Sequence, residues 1–402
     1  MNVLMLVMSD VAHDARVLRE ATALAGQGHA IHIVGKDVPP DWTPPPGVTV
    51  ESVSGGSGLK SSGTATISRD GLAGQVRGAG RWALLPQHRQ AVWAAWCAKA
   101  RGAVAGRAFD VVHAHDFNVL VLADELAGAA NARLVYDAHE FWSGRERHGR
   151  PTPLERSRER SVEQQILRRA DAVLTVSEGI AERLGRWRGG PVTVVRNTFP
   201  LADAPTPTPA MLPERPRGAV YAGRIGAARD IDTLMEATSA LRLDTLLMGN
   251  ADREFLPTLQ LTEGSVKIEP ARPVNEVDEV LRDVGISVVT LTDSCENHRL
   301  ALPNKVFHAV RAGVPVVAAD LPELRRLVTA HGIGALYRPG DSTSMRKALQ
   351  QVIDDYRGLC ARVLVAREQL NWDRDSRELV KVYADLDVNA SSHSTENEHV
   401  AR

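Results

Sequence analysis

Short apolar runs alternate with longer amphipathic stretches along most of this chain, and no other feature restricts its fold as strongly. A parallel strand covered on both faces is apolar along its length, whereas a helix lying on a sheet is apolar on one side only. The pattern therefore predicts an α/β fold in which parallel sheets are covered by helices. It occurs twice, and each half has the length of one doubly wound domain. The predicted strands are Val3–Met8, Ala30–Val34, Val111–Ala114, Arg133–Asp137, Ala172–Val176, Thr193–Val195, Gly218–Ala222, Asp244–Met248, Val266–Ile268, Ile286–Thr290 and Val314–Ala318.

Length and proline content predict two domains. A chain of 402 residues, 44% of them hydrophobic, exceeds what one core usually organises. Residues 200–216 are rich in proline, where neither helix nor strand propagates well, and form the predicted linker. We expect one domain over residues 1–199 and a second over residues 217–370. Residues 38–80, rich in Gly, Ser and Pro, predict a long loop, and residues 388–402 predict a disordered tail.

Charge and cysteine spacing exclude several kinds of partner. The formal net charge of −1 gives no reason to expect nucleic acid binding. Cys97, Cys295 and Cys360 lie far apart and lack ligand spacing, so neither a disulfide framework nor a zinc site is indicated. The apolar N-terminal run meets Ser9 and Asp10 too early for a signal peptide or a membrane-spanning helix. We therefore expect a cytoplasmic protein.

Histidines follow two predicted strands of the first half. His113 and His115 are spaced to point to one face, and Asp116 comes next. Ligands of open α/β sheets bind at the carboxyl ends of the strands, so this pair favours a functional role over a structural one. The next such edge carries Asp137 and His139. There, a helix cap by Asp137 explains the residues equally well.

Arg16 stands in the first turn of the helix that follows the first strand. Leu18, Ala21, Leu24 and Ala25 form the predicted buried stripe and leave Arg16 near the accessible edge of the sheet. In that position it could contact a ligand. A surface ion pair is the more common role of a single arginine.

An anion site is predicted where the first strand of the second half ends. Gly223 and Arg224 follow this strand, and Arg229 precedes the next helix. Glycine lets an anion approach the backbone, and guanidinium groups bind phosphate oxygens bidentately. The helix N-terminus adds a favourable dipole. Asp230 and Asp232 are better explained as charges at the helix start than as metal ligands.

The segment from Leu302 to Ala318 has the most specific pattern. Pro303 and Asn304 open a helix, Gly313 ends it, and an apolar strand follows. Lys305 lies in the first helical turn, where the helix dipole disfavours a cation. An anionic ligand would compensate this charge.

Together, these motifs resemble the retaining, nucleotide-sugar-dependent glycosyltransferases of the GT-B fold, in particular the family 4-like, group 1 enzymes. The resemblance spans nearly the whole chain. Each motif alone is weak evidence, whereas their common order and spacing are strong. The matching segments are D-x-R-V-x-x-E-A from Asp14, H-x-H-D from His113, Y-D-A-H-E from Tyr136, Ala170–Ser177, Val194–Asn197, Gly223–Arg224, Leu247–Gly249, L-P-N-K-x-F from Leu302 and A-G-V-P-V-V from Ala312.

The resemblance implies two Rossmann-like domains, with the donor nucleotide against the second, the acceptor against the first and the reaction in the cleft between them. Residues 371–387 would form a helix that crosses back to the first domain. No metal or other cofactor is expected, because cations would stabilise the leaving diphosphate. The implied donor-binding residues are Gly223, Arg224, Arg229, Asn304, Lys305 and His308. The implied acceptor-binding residues are Arg16, His113, His115 and His139. The predicted catalytic residues are Arg224, Arg229 and His115, of which His115 would contact the transferring sugar or the acceptor hydroxyl.

The chain departs from this family at two positions. The family commonly has two glutamates separated by seven residues, and the second is expected to hold the donor ribose. Leu300 and His308 stand at these positions. A neutral imidazole can accept one hydrogen bond, but it cannot replace the bidentate contact of a carboxylate with a diol. A glutamate in place of His308 is therefore expected to strengthen donor binding.

Two other functions are compatible with the sequence. A nucleotide-sugar epimerase shares the two-domain fold, and His115 and His308 could supply its proton acceptor. A non-catalytic scaffold or binding protein would explain the missing glutamates as lost chemistry. The acceptor is equally open and could be a glycan, a lipid-linked sugar or a small natural product.

The stretch Gly71–Phe109 raises the question of membrane contact, because it lacks acidic residues. Helical spacing would put its large apolar side chains on one face, flanked by cations, which suits an anionic membrane surface. An ordinary domain helix with core-facing tryptophans is the favoured interpretation. Membrane contact would indicate a lipid-linked acceptor and a peripheral location on the inner face of the membrane. The residues concerned are Arg77, Arg81, Trp82, Leu85, Arg89, Trp93, Trp96, Lys99, Arg101 and Arg107.

Overall fold

The computed structural model describes the chain in five segments and divides it into two compact units. The described segments are residues 1–54, 91–146, 153–202, 205–259 and 266–400. Unit 1 comprises Met1–Thr175, Ala181–Thr193 and the residues from Leu379 onward. Unit 2 comprises Val176–Ile180 and Val194–Glu378.

Strands and helices alternate along both units. As far as the end of β7, the elements are β1 (Asn2–Asp10), α1 (Ala15–Ala25), β2 (Ala30–Lys36), β3 (Val48–Ser52), α2 (residues 91–103), β4 (Val111–His115), α3 (Phe117–Ala130), β5 (Arg133–Ala138), α4 (Pro153–Leu167), β6 (Ala172–Thr175), α5 (Glu178–Arg188) and β7 (Thr193–Val194). The remaining elements are β8 (Gly218–Ala222), α6 (Ile231–Leu241), β9 (Asp244–Met248), β10 (Val266–Glu269), α7 (Val274–Val284), β11 (Gly285–Val289), α8 (Glu296–Leu300), α9 (Asn304–Ala312), β12 (Val316–Ala319), α10 (Pro322–His331), β13 (Gly334–Tyr337), α11 (Ser342–Asp354), α12 (Tyr356–Arg367) and α13 (Trp372–Val400).

Each unit contains one sheet of parallel strands. The first has the order β3-β2-β1-β4-β5-β6-β7 and the second the order β10-β9-β8-β11-β12-β13. Strands pair in parallel from β3 to β6 in the first sheet and throughout the second. Both sheets thus follow the doubly wound order, in which the first three strands are added toward one edge and the later strands toward the other, starting beside the first strand. These switch points lie between β1 and β4 and between β8 and β11, where such sheets bind ligands.

The structure confirms the predicted fold class and contains every predicted strand. It also contains two strands that the sequence pattern missed. Strand β3 lies within residues 38–80, for which a long loop was predicted. Strand β13, which begins at Gly334, pairs with β12. Both are short and lie at the sheet edge, so neither shows the continuous apolar run of a central strand.

The unit boundaries differ from those expected. The first boundary in the chain follows Thr175, and Val194 onward belongs to unit 2, whereas a domain ending at residue 199 was predicted. Helix α13 begins in unit 2 and supplies Leu379 and Tyr383 to the core of unit 1. It continues to Val400, beyond the predicted end at residue 387. In the described part of the chain, no helix combines the length and the apolar character needed to cross a membrane.

Candidate functional site

Unit 2 contains a cavity of about 700 Å³ at the carboxyl ends of β8 and β9 and beside the N-terminus of α9. This edge is where doubly wound sheets bind ligands, next to the switch in strand order between β8 and β11. The cavity brings together every predicted donor-binding residue except Arg229. Its lining residues are Ala222, Gly223, Arg224, Met248, Gly249, Asn250, Asp252, Ala271, Arg272, Val277, Asn304, Lys305 and His308.

Two glycine turns open the backbone toward this cavity. Gly223 follows β8 with φ +149° and Gly249 follows β9 with φ +151°, a conformation that residues with a side chain rarely adopt. A Cβ on Gly249 would stand 2.0 Å from the carbonyl oxygen of Gly223, so only glycine allows the two turns to touch. A Cβ on Gly223 would stand 2.8 Å from Nζ of Lys305. The absence of side chains therefore brings open backbone and a cation together at one wall.

Lys305 places a half-buried ammonium at this wall. Its Nζ lies 4.7 Å from the centre of the Tyr221 ring, within range of a cation–π interaction. Among the described residues, no carboxylate forms an ion pair with it. Burial, together with the nearby Arg229 guanidinium, lowers the pKa of Lys305 to about 7. A bound anion would counter both effects, as the sequence predicted for a lysine in a first helical turn.

The two predicted phosphate-binding arginines differ in their surroundings. Arg224 is 60% exposed, and its Nε lies 2.8 Å from the carboxylate of Asp252. Arg229 ends the short helical turn before α6 and does not line the cavity. It is nevertheless close enough to Lys305 to lower the pKa of that side chain. Arg229 has no ion-pair partner within the described segments, so it contributes more uncompensated positive charge than Arg224 does.

His308 is held from behind by a buried carboxylate. Its Nδ1 lies 3.1 Å from Oδ1 of Asp278, and the other carboxylate oxygen of Asp278 lies 2.7 Å from Nε of Arg311. Arg311 also donates to Oδ1 of Asn275 at 2.7 Å. The Phe199 ring packs against the imidazole with 4.5 Å between ring centres. His308 is thus fixed in orientation at the cavity wall rather than free to rotate.

The other position that departs from the family motif lies outside the cavity. Leu300 ends α8, and its carbonyl accepts a hydrogen bond of 2.6 Å from Oγ of Ser177. Asn304 lines the cavity at the start of α9, where its Oδ1 accepts a hydrogen bond of 2.9 Å from Asn197. The structure therefore places His308 among the donor-binding candidates but gives Leu300 a local structural contact.

In unit 1, Arg16 is buried rather than accessible, so the predicted exposure of this side chain is wrong. It is 3% exposed and binds Asp137 through two hydrogen bonds of 2.7 and 2.8 Å. Its Nη2 also lies 3.0 Å from Glu20, one turn further along α1. The apolar stripe alone suggested that charged residues of α1 face outward. The Asp137 carboxylate at the end of β5 compensates the guanidinium inside the unit instead.

Asp137 also positions two histidines at this edge. Its Oδ2 lies 2.9 Å from Nε2 of His139 and 3.3 Å from Nδ1 of His115. Burial would raise the pKa of Asp137, but the Arg16 and His139 charges outweigh it and hold the pKa well below its usual range. The His115 ring is buried, and its Nε2 has no hydrogen-bond partner among the described residues. Nδ1 of His115 also lies 3.2 Å from Nε2 of His139. When the hydrogen on Nδ1 is donated to Asp137, Nε2 is the acceptor nitrogen of a neutral His115.

His139 lies between two carboxylates. Its Nε2 faces Asp137, and its Nδ1 lies 3.4 Å from Asp116, which also accepts a hydrogen bond of 3.0 Å from the His139 backbone. Although burial opposes protonation, these two carboxylates raise the pKa of His139 to about 9. Asp116 itself adopts φ +66° and ψ 165°, a strained conformation for a residue with a side chain. In this conformation its carboxylate lies against His139, whose raised pKa leaves it charged at neutral pH.

His113 has a different partner from the other two histidines. Its Nδ1 lies 2.8 Å from the hydroxyl of Tyr383 on α13, and its ring stacks on that of His115 with 4.3 Å between centres. Both rings are fully buried, and burial holds the pKa of His113 well below its usual value. Its Nε2 lies 3.9 Å from Glu20. His113 therefore connects α13 to the sheet of unit 1.

The same cluster offers ligand atoms that a metal ion could use. Glu20, His113, His115 and Asp137 place such atoms within 4.8 Å of one another, the one group of this kind in the described segments. Both carboxylates, however, already bind the Arg16 guanidinium. A cation would have to compete with this buried positive charge, so the donor set fits a metal poorly.

Sequence reasoning missed two of the carboxylates at these sites, Glu20 in unit 1 and Asp278 in unit 2. Glu20 follows Arg16 by four residues, a helical spacing that could have indicated the pair. Asp278 gave no local signal, because its partners on α9 are distant in the chain. Tyr383 is buried on α13, and its contact with His113 was not foreseen.

The described part of the basic, tryptophan-containing stretch packs into unit 1. Trp96 is fully buried, and Trp93 donates its indole hydrogen bond to the backbone of Asn118. The cations there bind within the unit, since Lys99 contacts Ser54, Arg101 contacts Glu125 and Arg107 contacts Glu51. These contacts favour a domain helix. Arg77, Arg81, Trp82, Leu85 and Arg89 lie outside the described residues.

Two family models match the chain, one in each half. The model described as Glycosyltransferase Family 4 matches residues 15–202, and the model described as Glycosyl transferases group 1 matches residues 216–355. No curated protein matches the chain in sequence.

Solved structures of glycosyltransferases are similar over nearly the whole chain. Sucrose-phosphate synthase from Thermosynechococcus elongatus shares 16% identity with a TM-score of 0.75, covering 97% of this chain and 100% of that one. HepE of Anabaena in complex with UDP and glucose shares 15% identity with a TM-score of 0.66, covering 96% and 100%. The lipopolysaccharide outer core galactosyltransferase WaaB shares 13% identity with a TM-score of 0.63, covering 96% and 99%. At these identities the similarity shows the shared GT-B fold.

Proposed function

Because the chain belongs to the family 4, group 1 glycosyltransferases and has the GT-B fold, we propose that it transfers a sugar from a nucleotide-sugar donor to an acceptor hydroxyl. The observation that carries this proposal is the cavity of unit 2, where Lys305 and two open glycine turns meet. The ammonium suits the oxygens of a diphosphate, and the missing side chains of the two glycines leave room for them beside it.

Charge compensation explains how this cavity would promote transfer. As the bond between the sugar and the diphosphate breaks, negative charge grows on the leaving oxygen. Lys305 and Arg229 would stabilise that charge, and Arg224 would add to it after release from Asp252. These cations supply what a divalent ion supplies in other transferases. We therefore propose that transfer needs no metal.

The nucleotide is best tested first as UDP. HepE, a structural neighbour with a similar fold, was solved with UDP and glucose. Calorimetric titration with UDP, GDP and ADP compares the three bases directly. Binding of none of them would contradict the proposed donor class.

In unit 1, we propose that His115 contacts the transferring sugar or the acceptor hydroxyl. Its buried Nε2 is an acceptor without a partner among the described residues, whereas both nitrogens of His139 face carboxylates and His113 binds Tyr383. Arg16 and His139 would then hold His115 in place through Asp137, and His113 would do so by stacking on its ring. His115→Ala should lower kcat and leave UDP affinity unchanged. A matching loss of UDP affinity would place His115 in the donor site instead.

Activity measurements separate transfer from the alternatives. Purified protein is incubated with a nucleotide-sugar that it binds, together with glycan, lipid-linked and small-molecule acceptors, with and without EDTA. A transferase releases nucleotide and glycosylates one acceptor, in EDTA as well. An epimerase would convert the sugar without releasing nucleotide, and a binding protein would do neither.

Retention of configuration is part of the proposal and has its own test. Proton NMR of the product gives the anomeric coupling of the transferred sugar. The same anomer as in the donor supports retention, and the opposite anomer contradicts it.

A cytoplasmic location and peripheral contact with anionic lipid are separate proposals. The described cations of the basic stretch already have partners in unit 1, so membrane contact would depend on Arg77, Arg81 and Arg89. Sedimentation with anionic and neutral vesicles tests this, using Arg81→Glu with Arg89→Glu. If wild type and variant stay in the supernatant at low salt, a soluble glycan or small-molecule acceptor becomes the better choice.

A further inference from the structure

Asp230 follows Arg229 directly and is the acidic residue nearest to it in the sequence. A carboxylate beside a guanidinium usually pairs with it and compensates its charge. Here the two side chains form no ion pair, and neither has another ion-pair partner in the described part of the chain. The positive charge of Arg229, which reaches Lys305 at the cavity wall, is therefore preserved although an acid stands next to it.

Three uncharged donors occupy the carboxylate of Asp230. Its Oδ1 accepts a hydrogen bond of 2.6 Å from the hydroxyl of Thr233. Its Oδ2 accepts one of 2.8 Å from the hydroxyl of Tyr337 and one of 3.1 Å from the backbone N–H of Gly340. Asp230 makes no side-chain hydrogen bond as the N-cap of α6. The three donors, rather than the start of the helix, therefore explain the orientation of this carboxylate.

The backbone of Asp230 and the end of β13 bring these groups together. Asp230 adopts the left-handed conformation with φ +54° and ψ 36°, which aspartate and asparagine tolerate better than most residues. Tyr337 is the last residue of β13 and is fully buried. Burial and the Asp230 carboxylate raise the pKa of Tyr337 well above its usual value, so the phenol keeps its proton and donates it.

We propose that Tyr337 and Thr233 are positioning residues for Arg229. Their hydroxyls hold the Asp230 carboxylate out of an ion pair, so that the Arg229 guanidinium keeps its charge for the diphosphate of the donor. The inference rests on the proposed function, since it requires a diphosphate near Arg229. Without the Tyr337 hydroxyl, Oδ2 keeps only the Gly340 N–H, and the adjacent guanidinium becomes its best remaining donor. Arg229 would then be compensated, and its attraction for the diphosphate would fall.

The test is a double-mutant cycle between Tyr337 and Asp230. UDP and uridine are titrated by calorimetry into wild type, Tyr337→Phe, Asp230→Asn and the double variant. Asparagine tolerates the left-handed conformation and has no charge with which to compensate Arg229. Tyr356→Phe, which removes another buried hydroxyl of unit 2, is the matched control. If GDP or ADP binds more tightly than UDP, it is used with its own nucleoside.

A second variant frees the other carboxylate oxygen. Thr233→Val removes the donor to Oδ1 and is combined with Asp230→Asn in the same way. Thermal melts verify that each variant is folded. If Tyr337→Phe is unfolded, the cycle with Thr233→Val decides alone.

We expect Tyr337→Phe to weaken UDP binding about 3- to 10-fold, the effect of one hydrogen bond, and to leave uridine binding unchanged. Thr233→Val should act in the same direction, and Tyr356→Phe should match wild type. In the Asp230→Asn background, neither Tyr337→Phe nor Thr233→Val should weaken UDP binding further, because no carboxylate remains to pair with the guanidinium.

An equal loss of UDP affinity with and without Asp230→Asn would show that the hydroxyls only support the loop, and would overturn the inference. Wild-type UDP affinity in both Tyr337→Phe and Thr233→Val would overturn it as well. Either result leaves the proposed function intact, because wild type still binds the nucleotide. Failure of UDP, GDP and ADP to bind wild type would overturn both.

Discussion

Both units contain a buried aspartate between an arginine and a histidine, yet they differ in what else reaches the aspartate and the histidine. In unit 1, Asp137 binds Arg16, His115 and His139 together, and the His115 ring is buried. One carboxylate there compensates two cations, Arg16 and His139. This arrangement primarily holds the carboxyl edge of the sheet in one conformation.

In unit 2, Asp278 binds Arg311 and a single histidine. The side chain of His308 is 14% exposed and lines the cavity. The difference teaches that the same three residue types can share one carboxylate among several side chains, as in unit 1, or orient a single histidine at a cavity wall, as in unit 2.

Removing the aspartates should have the largest effects and should be unequal. Asp137→Ala leaves Arg16 and a charged His139 without their shared carboxylate, so we expect a loss of about 3–5 kcal/mol in the free energy of unfolding. Asp278→Ala should cost less, because Arg311 keeps its hydrogen bond to Asn275. Urea unfolding followed by circular dichroism measures both. Asp137→Asn serves as the milder variant, and an equal or smaller loss than for Asp278→Ala would contradict the comparison.

The two arginines near the cavity should differ in the same sense. Arg229→Ala removes a cation that has no ion-pair partner among the described residues, so nucleotide turnover should fall about 10- to 100-fold, as for one lost charge-assisted contact. Arg224→Ala should lower turnover less, because the Arg224 side chain is exposed and already forms an ion pair with Asp252. Initial rates and melting temperatures are measured for both. Wild-type turnover by both variants would remove the arginines from the mechanism.

Diphosphate binding should take up a proton at Lys305. Its pKa is about 7 in the free protein, so above pH 7 the amine is mostly neutral and must be protonated to attract phosphate. UDP affinity should therefore fall by up to about tenfold per unit between pH 7.5 and 9. Calorimetry in two buffers of different ionisation enthalpy counts the protons. Lys305→Arg, which stays charged, should bind UDP without this pH dependence. Equal proton uptake by wild type and Lys305→Arg would refute the assignment of the proton to Lys305.

The smallest expected effect is that of His308→Glu on UDP binding, and its sign is the opposite of the one predicted from the sequence. A glutamate at this position would stand beside the Asp278 carboxylate, which in wild type faces Nδ1 of His308. Repulsion between the two acids should cost about 1 kcal/mol of stability and weaken UDP binding rather than strengthen it. Thermal melts and calorimetry of His308→Glu decide the sign. Tighter binding would show that the glutamate of the family motif fits here after all.

The sequence predicted the central strands and the ends of α9 well, because these features depend on local patterns. Apolar runs located the central strands, and the Pro303 and Gly313 signals located both ends of α9. Because the helix dipole disfavours a cation in the first turn, Lys305 was predicted to face a bound anion. The structure places Lys305 at the wall of the cavity. Helix α13 runs past residue 387, because residues 388–400 contain no proline or glycine to end it.

The carboxylate arrangements were beyond local patterns because they join distant segments. Arg16 meets Asp137, and His308 meets Asp278, only after the sheets have formed. A charged residue in an amphipathic helix indicates solvent unless its partner is known, which is why Arg16 was expected to be accessible. Only a structure that brings these distant segments together reveals the compensation.

The central claim is that the cavity of unit 2 binds a nucleoside diphosphate through Lys305. Calorimetric titration of wild type, Lys305→Met and the exposed control Lys347→Met with UDP and with uridine, at pH 7.0, tests it most directly. We predict that Lys305→Met weakens UDP binding about 10- to 100-fold, leaves uridine binding unchanged and differs from Lys347→Met, which matches wild type. Equal UDP affinity in all three proteins would contradict the account.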